Sequence, residues 1–364
     1  LMNLTNLFLL CKAAFKNKKN IIPRIMRNLY IGVMTGTSAD SLDGCIVSFD
    51  ENFQLLEKES IELGKNYKKK YEDCIKAGYK TSSESPDLLE VENVLNFKTI
   101  ELLDRLVSKS IIKKEDINLV ALSGQTVFHT YEKSYQIGNY QEIANISGMN
   151  VCSDFRNYNI KKGGMGAPLI PMFHKYLYAR KSLNRIVFNI GGISNGTHLN
   201  QNQISLASDV GPGNCLLDLC CENFLNMPFD DKGKIAATGK IEHALLKKFL
   251  SGTKDMDYPR ADDKNDYYRL MDESISEVCV ENLLRTLIEF TAFKIQEFYK
   301  FCGSPREVIF HGGGTKNTCL MQVIEEKLNC DVRTTDNEID SKYVEAAGFA
   351  YLAYKNLGEI FSPK

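Results

Sequence analysis

The stretch Met34–Asp43, MTGTSADSLD, ends the apolar run LYIGVM (Leu29–Met34) and leads into a second apolar run, CIVSFD (Cys45–Asp50). An apolar run that stops at Gly, Ser and Asp and then resumes predicts two strands joined by a turn, a hairpin. Around Gly36 the turn carries the hydroxyls of Thr35, Thr37, Ser38 and Ser41 and the carboxylates of Asp40 and Asp43. Backbone amides reach phosphate oxygens only where no side chain intervenes, and carboxylates are hard oxygen ligands suited to Mg²⁺ and its waters. A polar hairpin turn with no ligand has the same composition, and on this stretch alone that reading stands first.

Working outward, Glu51 to Asp116 reads as mostly charged and helical in period, with Val91, Val94, Leu95, Ile100, Leu103 and Leu106 suited to one buried face. INLVALSG (Ile117–Gly124) reads as a buried strand. A second β unit opens after Arg185 with IVFNIGGISNGTHL and QISLASDVGPGN, echoing the first, although the two differ too much to be a repeat by identity. DVGPGN (Asp209–Asn214) sets a carboxylate at a strand end ahead of a helix whose amides could face an anion. Val278 to Phe301 reads as a core helix closed by Gly303 and Pro305, and EVIFHGGGTKN (Glu307–Asn317) as a strand running into three glycines. Asp before a Gly turn is equally a cap, and glycines after a strand equally permit close packing. No GKS or GKT follows a glycine pair and no GxGxxG is present, which excludes the P-loop and dinucleotide classes. The histidines have no metal-binding spacing; His129, His174 and His311 read as structural or lining residues, His198 and His243 as surface positions.

A chain of 364 residues exceeds one core, so two lobes are expected. With 45 Lys and Arg against 46 Asp and Glu, the net charge of −1 gives no footprint for nucleic acid or an anionic membrane. The 11 cysteines are scattered without a CxxC pair, which points to a reducing cytoplasm rather than a disulfide framework or zinc site. No run approaches the ~18 apolar residues of a membrane span. Residues 1–28 are basic and free of acid; a transit peptide fits the composition, and an over-long start ahead of Met26 is the favoured reading.

Taken in order, YIGVMTGTSADSLDG, SGQTVFH, QIGNYQEIANISGMNV, SDFRNYNIKKGGMGAPLIPMFH, FNIGGISN, DVGPGN with FDDKGKIAATGKI, FHGGGTKN and YVEAAGFAYLA resemble the anhydro-N-acetylmuramic acid kinases from Leu29 to Leu357. The resemblance implies an α/β fold of the two-lobed actin-like ATPase group (ribonuclease H-like), with mixed sheets flanked by helices and the nucleotide in the interlobe cleft. It implies lobe I at 29–153 plus about 349–364 and lobe II at 154–348. ATP would lie on Thr35, Gly36, Thr37, Ser38, Ala39, Asp40, Ser41 and Leu42, with Gly191, Gly192, Gly211, Gly213 and Gly312, Gly313 and Gly314 also against the nucleotide. Asp40 would hold Mg²⁺ through water. Asp209 takes the place of the catalytic base and Glu345 that of a substrate-contacting carboxylate, with Gln125, Thr126 and Arg156 near the sugar. The implied reaction opens a 1,6-anhydro amino sugar with water and phosphorylates O6, as in peptidoglycan recycling, in a cytoplasmic homodimer.

Several residues depart from the family pattern. Ser123 stands where SHGQT has histidine, Ser41 replaces a glycine and would be strained at positive φ, and YPRADDKND (Tyr258–Asp266) replaces a KSTGRE-like stretch. These departures leave a kinase for another amino sugar as one alternative, and a non-catalytic nucleotide-binding protein of the same fold is a second from another class.

Overall fold

The computed structural model describes residues 28–253, 257–272, 275 and 277–364; the expected basic extension lies outside them except for Asn28. The strands are β1 (Leu29–Met34), β2 (Ser41–Phe49), β3 (Phe53–Glu62), β4 (Ile117–Leu122), β5 (Gln125–His129), β6 (Ser134–Ile137), β7 (Val151–Ser153), β8 (Asn184–Ile190), β9 (Ile193–Asn200), β10 (Gln203–Pro212), β11 (Glu307–His311), β12 (Asp331–Thr334) and β13 (Glu359–Phe361). The helices are α1 (Lys65–Lys76), α2 (Pro86–Lys109), α3 (Tyr140–Ser147), α4 (Phe155–Lys161), α5 (Pro171–Tyr178), α6 (Cys215–Leu225), α7 (His243–Ser251), α8 (Lys264–Tyr268), α9 (Val280–Phe301), α10 (Thr318–Lys327) and α11 (Val344–Tyr354).

Two mixed sheets carry the fold, in the orders β13-β7-β4-β1-β2-β3 and β10-β9-β8-β11-β12. Each begins with an antiparallel meander, β1-β2-β3 or β8-β9-β10, and continues on the far side of its first strand with parallel neighbours, β4 and β7 or β11 and β12. The echo between the halves is therefore a duplication of topology, invisible to residue identity. It gives the actin-like architecture of mixed sheets flanked by helices.

The first sheet is covered on one face by α1, α2 and α3 and on the other by α5 and α11, while α6, α9 and α10 pack on the second. α11 is buried nearly all round, and it lies so close to β1 that a Cβ on Gly32 would stand 1.9 Å from the Ala346 carbonyl oxygen. Only glycine admits that approach, and it sets Glu345, one residue earlier, against the end of β1.

One reading is corrected. Phe53–Glu62 lies within the segment expected to be helical, yet it forms β3, the edge strand paired with β2. Its apolar residues divide between the two faces, Phe53 and Leu55 packing on one and Leu56 and Ile61 on the other, so neither period stands out.

Candidate active site

The turn opens at Thr35 and closes at Asp40, because Ser41 and Leu42 already belong to β2. Leu42 points into the core, and Ser41 donates to Asp43, so neither side chain lines the turn. The residue at positive φ is Ala39, at 55°, while Ser41 is extended strand and free of the strain expected there. Ala39 N–H donates to the Gly36 carbonyl at 3.0 Å, and Leu63 N–H donates to the Asp40 carbonyl at 2.9 Å, tying the turn to the end of β3.

Gln125 lies beneath this turn, fully buried. Its Oε1 accepts from Thr35 Oγ1 at 2.9 Å and its Nε2 donates to the Gly36 carbonyl at 2.9 Å. Expected beside the sugar, Gln125 thus commits both amide atoms to the turn. Ser123 does the same from β4's end, its Oγ accepting from Thr35 N–H at 3.3 Å. Thr126 offers its carbonyl to the Tyr71 hydroxyl. The hydroxyls of Thr37 and Ser38 are exposed, and nothing among the described residues engages them. These two are the turn's available donors.

Asp209 comes from the end of β10 in the other half. The ladder to β9 shifts between Asp209 and Gly211, a bulge that turns the strand end and re-aims the carboxylate. Asp262 N–H donates to Asp209 Oδ2 at 2.9 Å, and Asp209 N–H donates to the Arg260 carbonyl at 3.1 Å. Burial pushes the Asp209 carboxyl up to about 6; the Asp262 charge adds to this, against the Asp262 amide and the guanidinium groups of Arg260 and Arg156.

Arg156 links the halves of the site. It donates to the Gly166 carbonyl at 3.1 Å, and its charge acts on both Asp209 and Glu345. Glu345 sits in the first turn of α11, where burial pushes it up to about 7 while Arg156 draws it down. Asp209, Arg156 and Glu345 are therefore one electrostatic unit.

The glycines divide by role. Gly213, Asn214 and Cys215 give their amides to the carbonyls of Gly192, Gly191 and Gly192, so the start of α6 is not the free anion seat its sequence suggested. A Cβ on Gly213 would stand 2.2 Å from the Gly191 carbonyl oxygen, and one on Gly211 would meet the Lys294 side chain of α9. Both are glycine because another chain segment passes close by. Gly192 and Gly313 are exposed, and Gly312, at φ 89°, turns the chain after β11 above Asn189. Behind this turn the buried imidazoles of His174 and His311 are joined Nε2 to Nε2 at 2.9 Å, and burial holds both well below the usual histidine range.

At the turn's mouth Asp40 is exposed, and Lys68 of α1 lies 3.2 Å from both Asp40 and Glu222 of α6. Nearby Asp218, also on α6, is pushed up to about 7 by burial and then by Asp40 and Glu222. Among the described residues no group of three or more His, Cys, Asp or Glu is arranged to hold a metal on its own. Residues missed at the sequence level are Arg260, Asp262, Tyr267 and Asp218; the departure of YPRADDKND from the family pattern flagged the first two, and nothing flagged Tyr267 or Asp218.

A duplicated mixed-sheet fold with a hydroxyl-rich turn on one half and a strand-end carboxylate on the other defines a two-lobed protein of the actin-like ATPase class. The family model for anhydro-N-acetylmuramic acid kinase matches residues 28–363, and the chain belongs to that family, a family of kinases. It is 34% identical over 339 residues to the anhydro-N-acetylmuramic acid kinase of Gamma-proteobacterium EBAC31A08, covering 91% of this chain and 92% of that one. To the enzyme of the same name from Vibrio parahaemolyticus it is 32% identical over 347 residues, with 91% and 92% covered. Among solved structures it is similar to the ADPNP-bound activator of 2-hydroxyisocaproyl-CoA dehydratase from Clostridium difficile, with a TM-score of 0.48, 14% identity, and 90% and 95% covered. No helix among the described residues is long and apolar enough to cross a membrane.

Proposed function

We propose that this protein is an ATP-dependent kinase that opens 1,6-anhydro-N-acetylmuramic acid with water and phosphorylates O6, giving N-acetylmuramic acid 6-phosphate and ADP. The observation that carries this reading is Asp209, a carboxylate that burial raises to about 6, with Oδ2 tied to the Asp262 amide and no partner among the described residues for Oδ1. A carboxyl raised toward neutrality is a better base near pH 7 than an ordinary one, yet it is mostly ionised there. Oδ1 takes a proton from water, the water oxygen bonds to C1, and the C1–O6 bond breaks. O6 takes the γ-phosphoryl group as the bond to the ADP oxygen breaks. Arg156 and Glu345 flank the sugar side and orient it.

On the phosphate side, Gly36, Thr37 and Ser38 face the nucleotide on a turn that Gln125 and Ser123 hold still. Asp40 and Asp218 would offer hard oxygens to Mg²⁺ at the mouth of the turn. Such an ion offsets phosphate charge. The ten free cysteines of the described residues support a reducing compartment, the cytoplasm. A homodimer is the inferred assembly, tested by sedimentation mass. The reaction is tested by incubating protein and MgATP with the anhydro sugar in ¹⁸O water. The label is expected on C1 and not in the phosphate; phosphorylation of free N-acetylmuramic acid alone would replace this reading with that of an ordinary sugar kinase.

A further inference from the structure

Tyr258–Asp262, the first part of the stretch Tyr258–Asp266 that departs from the family pattern, grips Asp209 on both sides. Arg260 N–H donates to Ser208 Oγ at 2.9 Å, the Arg260 carbonyl accepts from Asp209 N–H, and the Arg260 guanidinium donates to the Val210 carbonyl. The residues before, at and after 209 are thus all bonded to one short stretch. That stretch is in turn locked by a buried ion pair, Arg260 Nε to Asp262 Oδ1 at 3.1 Å, with side chains 8% and 3% exposed. The Tyr267 hydroxyl donates to Asp262 Oδ2 at 2.6 Å, and the Arg260 guanidinium lies 5.1 Å from the centre of the Tyr258 ring.

We infer that the Arg260–Asp262 pair, pinned by Tyr267, is a positioning clamp that holds Asp209 with Oδ2 tied down and Oδ1 turned toward the reacting water. The inference rests on the reading of Asp209 as the base. An ion pair this deep adds little to stability over an apolar pair of the same shape, because desolvation offsets the attraction. Its orientation around one carboxylate is what a positioning role requires. Among the described residues, the charged groups facing Asp209 are Asp262 and Arg260 on this segment and Arg156 on α4. Tyr267 on α8 reaches it through Asp262, Glu345 on α11 shares Arg156, and Lys294 on α9, paired with Glu297, packs under Gly211.

The two partners pull the carboxyl in opposite directions, which separates a clamp from a merely structural pair. Full-length protein carrying ¹³Cγ-labelled aspartate is titrated by NMR, with the Asp209 resonance assigned by its loss in Asp209→Asn. Asp262→Asn removes a negative neighbour and lowers the Asp209 midpoint; Arg260→Met removes a positive one and raises it. The acid limb of kcat/KM follows. The ratio of kcat/KM at pH 5.5 to that at pH 8 rises about threefold in Asp262→Asn and falls about threefold in Arg260→Met. Arg260→Lys restores the midpoint. Should Arg260→Met not fold, Tyr267→Phe takes its place, since the loss of a donor to Asp262 also raises the Asp209 midpoint. Midpoints that stay put, or move the same way in both arms, overturn the clamp. Opposed midpoints in a protein that leaves the anhydro sugar intact uphold the clamp and overturn the proposed substrate.

Discussion

Replacing Asp209 with asparagine should abolish turnover and stabilise the protein, and the second effect is the sharper test. The buried carboxyl rises from an ordinary 3.8 to about 6, a preference for the neutral form of about 3 kcal/mol. Between about pH 4 and pH 6 the native state therefore binds more protons than the unfolded chain. Stability falls as pH rises through that window, and above it the full cost is present. Asparagine is neutral at every pH and still accepts from the Asp262 amide. The variant should exceed the wild type by about 3 kcal/mol at pH 8, and by about half of that at pH 5, where the wild-type group is already mostly protonated. Urea unfolding of both proteins at the two pH values, beside a turnover assay, measures the difference. A variant no more stable than wild type at pH 8, or one whose advantage is the same at pH 5, would show that the site does not hold Asp209 against its ionised form.

Gln125→Ala removes two buried hydrogen bonds from the turn, at about 1 kcal/mol each, so the nucleotide KM should rise tenfold or more while the sugar KM moves little in steady-state kinetics. Gly213→Ala drives a Cβ to 2.2 Å from a backbone oxygen and should cost about 3 kcal/mol in chemical denaturation, whereas Gly313→Ala, with only Asn214 Nδ2 at 4.0 Å, should leave unfolding unchanged. Lys68→Ala breaks two half-exposed ion pairs; its effect on stability should stay below about 1 kcal/mol, and scattering profiles should report wider opening between the halves. Glu345→Gln should keep nucleotide binding, seen by calorimetry, and weaken sugar binding at least tenfold.

What the sequence carried was composition at strand ends. Met34–Asp43 announced a polar turn, and Asp209 a carboxylate at a terminus, because strand and turn signals are local. Which donors remain available was not legible, since Thr35 is claimed by Gln125, 90 residues on, and Asp209 is gripped by Asp262, 53 residues on. The glycines misled for a related reason: Gly211 and Gly213 look like phosphate glycines, but their small size serves contacts with Lys294 and Gly191. The edge strand β3 escaped because its burial is shared between two faces. His174 and His311, 137 residues apart, gave no sign of meeting.

The duplication explains why the chemistry is divided as it is. Each half places a turn after its first strand and ends its third strand near that turn, so both halves offer the same two positions. In the first half the turn is long, with two hydroxyls unengaged, while β3 closes on the exposed Glu62 beside the turn's anchor at Leu63. In the second half the turn shrinks to Gly191 and Gly192, whose carbonyls hold the start of α6, and a bulge at the end of the third strand delivers Asp209. The turn hydroxyls and the strand-end carboxylate therefore sit on opposite halves. Neither half alone holds a complete site, and the shared side chains, Arg156 between Asp209 and Glu345 and Lys68 between Asp40 and Glu222, are where the two become one.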